Sequence, residues 1–258
     1  MKNYKLSILF VSVMLMICSC GNKKTAEEPA LNPNMQYREL GSTGIKVAEI
    51  GIGCSAFGYM DTAQSYEFMT VALEGGVNYM DLYDADPTVR SNIGYALRGR
   101  RDQMNIQGHI GNYWNNGQYE RTRDMDKVKA GFEDLLQRLE TDHIEVGMLH
   151  ISDDMEHWNA IANGPMIEYA KQLKAEGKIK HIGMSSHNPI AALAAAESGL
   201  IDVFLFSVNP CYDLMPADDD VYELFKPENY QKQFINMDPD RERFYETCQR
   251  LGIGISVM

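Results

Sequence analysis

The chain has 258 residues, 36 of them acidic and 24 basic, for a net charge of −12, with 45% hydrophobic and 23% charged side chains. That length and balance describe one large globular domain or two small ones, not a disordered chain. The acidic excess speaks against a nucleic-acid backbone as the main partner, and five cysteines are too few for a disulfide framework. No CxxC, HExxH, GxxxxGK or GxGxxG occurs, which weakens zinc-ribbon, zincin, P-loop and Rossmann readings.

Lys2 and Lys5 precede an apolar run of thirteen residues from Leu6 to Cys18. The run is short for a membrane-spanning helix and suits a signal peptide. Ile17, Ser19 and Cys20 then resemble a bacterial lipoprotein box, aliphatic at −3 and small at −1, with Cys20 as the lipidated residue. An uncleaved anchor or an ordinary signal peptide is the alternative. Residues 1–19 thus read as a lipoprotein signal peptide and 20–35 as a flexible polar tether with two prolines. The expected location is the cell envelope, lipid-anchored and facing the periplasm or the exterior.

From residue 36 onward, apolar strand-like runs alternate with helical patterns. Strands are expected over 47–54, 77–83, 104–110, 143–151, 181–187, 203–209 and 253–258. Helices are expected over 62–74, 88–98, 125–139, 155–176, 189–197 and 240–251. Near-continuous apolar strands alternating with helices imply a parallel sheet covered by helices. Glycines mark the helix-to-strand joints at Gly75, Gly76, Gly99, Gly177, Gly199 and Gly252. A doubly wound sheet lacks its phosphate glycine motif here, so the expected fold is a (βα)₈ TIM-barrel type, incomplete at seven strands. A hairpin pairing 37–40 with 46–49 precedes it and is placed to plug the barrel bottom. Residues 36–258 then form one barrel domain lacking the last βα unit.

Four stretches resemble the aldo/keto reductase family. Tyr37 to Val47 (YRELGSTGIKV) is similar to that family's opening hairpin. Gly76 to Asp81 (GVNYMD) is similar to its second strand, and Met148-Leu149-His150 to the end of its fourth. Gly177 to His187 (GKIKHIGMSSH) is similar to its fifth. The resemblance implies an NADPH-dependent carbonyl reductase in which a tyrosine protonates the substrate oxygen. A lysine paired with an aspartate tunes that tyrosine, and a histidine orients the carbonyl. Asp81 and His150 match the aspartate and histidine. Asp86 stands at the tyrosine position and His109 at the lysine position, so half of the tetrad is changed.

An aspartate of unperturbed pKa ~3.9 is a poor substitute for a phenol of ~10. Burial beside Asp81 would raise it, and His109 is the other available acid. Tyr83 is expected to stay within its strand. On the cofactor side the resemblance assigns the nicotinamide carboxamide to Ser185, with Ser186 where asparagine is common and Leu205 where glutamine is common. The NADPH phosphates would be held beyond strand seven, where this sequence stops. The reading is therefore of a C-terminally truncated chain with weak cofactor binding and slow turnover.

Two other functions remain open. One is a catalytically degenerate lipoprotein that holds a ligand or partner, favoured by the scarcity of NADPH outside the cytoplasm. The other is a metal-dependent barrel enzyme using Asp81, Asp84, Asp86, His109 and His150. Tyr113, Trp114 and Tyr119 follow the third strand and either line a substrate pocket or pack as a satellite cluster. Asp153 or Asp154 is expected to cap the following helix. The run Asp218 to Asp220 reads as solvated, and Cys54, Cys211 and Cys248 as unpaired. The expected partners are a small carbonyl substrate and, through Cys20, a membrane; no nucleic acid is expected.

Overall fold

The computed structural model describes residues 31–150, 152–209 and 237–258, with 213, 222–223 and 226–228 between them. Cys20 and the rest of the amino-terminal segment lie outside the described residues, as do Cys211 and Asp218 to Asp220.

Strands β1 (Tyr37–Glu39) and β2 (Lys46–Ala48) pair antiparallel, with Arg38 opposite Val47. The expected strand over 47–54 therefore divides. Its first residues complete this hairpin, and only β3 (Ile52–Gly53) joins the main sheet. The main sheet then runs β3, β4 (Tyr79–Leu82), β5 (Asn105–Ile110), β8 (Ile144–Leu149), β9 (Ile179–Ser186), β10 (Val203–Phe206) and β11 (Gly254–Val257). All of its seven strands are parallel, in the expected order. β3 and β11 are its two edges. Strands β6 (Asn112–Asn115) and β7 (Gln118–Arg121) form a separate antiparallel hairpin that directly follows β5.

Helices α1 (Thr62–Glu74), α2 (Pro87–Ala96), α3 (Met125–Arg138), α4 (Met155–Ala162), α5 (Pro165–Ala175), α6 (Pro189–Glu197) and α7 (Pro239–Leu251) connect the strands. Their starts have local causes. Asp61 and Gln64 form a reciprocal capping box on α1. Asp86, Asn188 and Asp238 each cap a helix whose first residue is proline, where a missing N–H costs nothing. The single helix expected over 155–176 is two helices. Pro165 forces Gly164 into an extended conformation (φ −117°, ψ −174°), so the first helix ends and a new one begins. Gly252 ends α7 at φ 68°, a left-handed conformation that a side chain would strain.

Alternation along the strands divides the core in two. Met80, Leu82, Ile106, Ile110, Leu149, Met184, Phe204 and Phe206 point out against the helices. Phe244 of α7 meets Phe204 and Phe206 at ring-centroid distances of 5.0 and 4.5 Å. The opposite face carries Tyr79, Val146, Met148, Val203 and Leu205, which pack with Leu40 and Val47 of the first hairpin. That hairpin also ties to the far edge, where the Ser42 N–H donates to the Gly252 carbonyl at 2.7 Å. It therefore sits at the N-terminal end of the strands, across the bottom of the curved sheet. A cleft of about 590 Å³ runs between β3 and β11 from this hairpin up to Asp81.

Candidate active site

The inner face becomes polar toward the C-terminal ends of the strands. Asp81 on β4 sits beside Gln107 on β5, and His109 on β5 beside Met148 on β8. His150 directly follows β8, on the same face as Val146 and Met148. The period of two along each strand thus aims Asp81, His109 and His150 into one space.

They form a continuous row. His109 Nε2 is 3.0 Å from Asp81 Oδ1, and His109 Nδ1 is 2.6 Å from His150 Nδ1. Gln107 Nε2 also donates to Asp81 Oδ1 at 2.6 Å, and the Tyr79 hydroxyl donates to Gln107 Oε1 at 2.5 Å. His150 Nε2 is bonded to the Tyr119 hydroxyl. His109 and His150 are only 1% and 2% exposed, while Tyr119 is 41% exposed at the open end of the row.

The second hairpin delivers Tyr119. Asn116 and Gly117 adopt positive φ (50° and 83°), the conformations a tight two-residue turn requires. Tyr113 lies against α3, its ring 5.9 Å from the Lys127 ammonium, while Tyr119 on the other face reaches His150. Arg121 lies two residues beyond Tyr119 and shares its face. Its guanidinium has no hydrogen bond or ion pair to the protein among the described residues. Arg123 instead donates to the His150 carbonyl at 2.8 Å, which fixes the end of β8.

Burial holds the His150 ring well below the usual imidazole range, reinforced by His109, Arg123, Arg121 and His187. Burial likewise pushes the Tyr119 hydroxyl up to about 12 and brings Arg123 down to about 10. His181 is also lowered by burial, against the opposing pull of Asp202. A histidine lowered on folding binds its proton more readily when unfolded. Its contribution to stability is complete above about pH 6.5 and falls as the pH drops below that value. Urea unfolding should therefore show stability declining from pH 7 to 5.5, by at most about 1.4 kcal/mol per pH unit for each such histidine. His150→Asn should flatten that slope; an unchanged slope would mean that His150 is not held neutral.

Asp86 lies elsewhere. Its carboxylate accepts from the Thr88 N–H at 2.6 Å as the cap of α2, and its own N–H donates to Asp84 Oδ1 at 2.9 Å. It shares no hydrogen bond with the row. Tyr83 falls one residue past β4, where its hydroxyl is 3.1 Å from Ser55 Oγ. Ser185 is level with Leu205 on the inner wall and is buried. Ser186 faces the other way, donating to the Ser152 carbonyl at 2.7 Å. Asp154 caps α4, whereas Asp153 accepts from the His187 N–H at 2.7 Å and pairs with its ring at 3.0 Å. Burial raises Asp153, but the His187 ring and N–H together with Ser186 outweigh it and hold the carboxyl low. No group of three histidine, cysteine or carboxylate side chains suited to a metal ion occurs among the described residues. Cys54 and Cys248 are unpaired and buried.

Residues 49–258 match the aldo/keto reductase family. The chain is 30% identical over 162 residues to the uncharacterized oxidoreductase YqkF of Bacillus subtilis, covering 60% of this chain and 50% of that protein. It is 30% identical over 161 residues to the aldo-keto reductase YhdN of the same organism, covering 59% and 47%. The chain thus spans about half the length of the curated relatives it matches. Among solved structures it is similar to the holo form of the aldo-keto reductase AKR11C1 from Bacillus halodurans, at 25% identity and TM-score 0.65, covering 86% of this chain and 65% of that one. A Pseudomonas aeruginosa protein at 24% identity shares the fold, with TM-score 0.68 and coverage of 88% and 79%.

Proposed function

Because the chain belongs to the aldo/keto reductase family, we propose that it reduces small carbonyl compounds with NADPH at the C-terminal mouth of the sheet. The observation that carries this is the row Asp81–His109–His150, whose two imidazoles are buried, whose Asp81 end borders the cleft and whose other end meets solvent at Tyr119. A positioned acid beside a water-poor wall is what hydride transfer to a carbonyl requires.

The residues at the mouth fit the nicotinamide end of the cofactor. Ser185, one residue before the end of β9, has a buried side chain on the inner wall, level with apolar Leu205 on β10. A hydroxyl beside an apolar wall suits a carboxamide and a flat ring, so Ser185 and Leu205 are the residues that would hold it. Ser186 is engaged with Ser152 and supports the strand end instead. When bound, the reduced nicotinamide supplies hydride. Asp81 and Gln107 orient His109, and Arg123 fixes the backbone of His150. The test is fluorescence titration with NADPH, followed by NADPH consumption on a panel of aldehydes and keto acids. Absence of both binding and consumption at millimolar cofactor would overturn the reading. Binding without consumption would favour the ligand-holding lipoprotein.

Arg121 favours carbonyl substrates that carry a carboxylate. It gives an acidic protein a cation at the mouth, near Tyr119 and His150, that has no ion pair among the described residues. A charge-assisted hydrogen bond of about 1.5 kcal/mol corresponds to roughly tenfold in affinity. Arg121→Ala should therefore raise KM for a keto acid about tenfold while leaving KM for a neutral aldehyde unchanged. Equal changes for both substrates would remove the assignment.

The amino-terminal reading adds a place of action, a lipid anchor on Cys20 in the cell envelope. Intact-mass analysis of membrane fractions tests it, and a mature form beginning at Met1 would refute it.

A further inference from the structure

The second hairpin brings the row a group that no strand of the main sheet supplies. Tyr119 is the row's more exposed end, and from it the buried His150 and His109 lead to Asp81, which borders the cleft. Asp86 is turned away as a helix cap.

We propose that Tyr119 is the proton donor to the carbonyl oxygen, refilled through His150 and His109 as a proton wire anchored on Asp81. The proposal rests on the reductase reading and deepens it.

With Asp81 ionised and His150 kept neutral by its burial, the geometry admits two complete sets of hydrogen-bond directions, which differ by one proton. In the loaded set, His109 donates from both ring nitrogens, to Asp81 and to His150 Nδ1. His150 then donates from Nε2 to the Tyr119 oxygen, and the phenolic proton is left to point at a substrate. In the unloaded set, His150 Nδ1 donates to His109 Nδ1, and His150 Nε2 accepts the phenolic proton. Asp81 accepts from His109 Nε2 in both.

Reduction converts the first set into the second. The carbonyl carbon gains hydride from reduced nicotinamide, whose ring is oxidised, and the C=O π bond opens. The carbonyl oxygen takes the Tyr119 proton. The Tyr119 oxygen takes the Nε2 proton of His150, and His150 Nδ1 takes the Nδ1 proton of His109. The alcohol has gained one hydride and one proton, and the row has lost one proton. Solvent returns that proton through the exposed Tyr119 after the product leaves.

The wire answers a specific difficulty. A phenol pushed up to about 12 keeps its proton at neutral pH, as a donor must, but it leaves a poor phenolate if it acts alone. Refilling from His150 Nε2 means that no phenolate remains. Burial of both imidazoles keeps water from short-circuiting the chain between them.

Two measurements on the full chain test this. The first needs no cofactor: histidine side-chain ¹⁵N–¹H correlation spectra of the wild type and of Tyr119→Phe. The substitution should move the His150 Nε2 resonance and leave those of His181 and His187 in place. The second is steady-state reduction of an aldehyde with NADPH. Tyr119→Phe should lower kcat by roughly 10²–10⁴-fold, with KM changed less than about threefold. Tyr119 is 41% exposed, so the variant should fold normally. Undiminished kcat in Tyr119→Phe, or a His150 resonance indifferent to it, would overturn the proposal; loss of kcat in Asp86→Asn instead would move the donor there. A wild type that reduces no carbonyl would sink the reductase reading and the donor role together, whereas turnover that survives Tyr119→Phe would sink the donor role alone.

Discussion

His109→Leu should lower kcat for carbonyl reduction by roughly 10²–10⁴-fold while KM stays nearly constant. His109 touches both neighbours in the row, Asp81 at 3.0 Å and His150 at 2.6 Å, and is 1% exposed. Leucine fills similar space and offers neither bond. Asp81 keeps its bond from Gln107, so the strand ends should hold their shape. His150 keeps its contact with Tyr119 but loses its link to the aspartate. Because His109 lines no open surface, substrate affinity has no reason to change. Steady-state kinetics decide it, with thermal unfolding as the check on folding. A kcat within about threefold of wild type would remove His109 from the reaction.

The second large effect is on stability. Phe244→Ala should destabilise the domain by about 3–5 kcal/mol, the usual cost of truncating a fully buried aromatic. Phe244 is 0% exposed and touches Phe204, Phe206 and Tyr245. It is the main apolar anchor of α7 on β10, so the space it leaves is walled by two rings held in a strand and cannot collapse easily. At about 2–4 °C per kcal/mol for a domain of this size, the melting temperature should fall by roughly 10 °C. Calorimetry or circular dichroism measures it. A loss under about 1 kcal/mol would mean that α7 is held mainly by its polar contacts, such as the bond from Arg241 to the Ser207 carbonyl.

Much of the architecture was legible because it is written in local chemistry. The bounds of α1 and α6 follow from a capping aspartate or asparagine at the start, and glycine or serine marks the end. Asp86-Pro87 carries the same start signal, a cap followed by proline at the first helical position, and it foretells a helix cap at the site's expected acid. The break at Gly164-Pro165 was equally open to reading but lay inside a long amphipathic pattern that masked it. The second hairpin was announced by Asn116-Gly117 between aromatic residues, yet its polar flanks read as loop.

The site was legible residue by residue, not as a row. Asp81, His109 and His150 follow from the family resemblance and from their places at strand ends. Their mutual bonds depend on the register of three strands far apart in sequence, which no local pattern encodes. Tyr119 meets His150 only because a two-residue turn folds β7 back over the mouth.

The first hairpin has a kinetic consequence. Its Ser42 N–H is bonded to the Gly252 carbonyl, and a Cβ on Gly41 would collide with the backbone of Gly252, Ile253 and Gly254. The two ends of the described domain are thus stitched by a backbone contact with no room for slack. Contacts so distant in sequence cost the most chain entropy to close and form late, after the neighbouring βα units have folded on one another. The stitch belongs to the last step of assembly, and in the reverse direction to the first step of opening. Amide hydrogens of residues 40–45 and 252–254 should then exchange as one group, ahead of those in β5, β8 and β9.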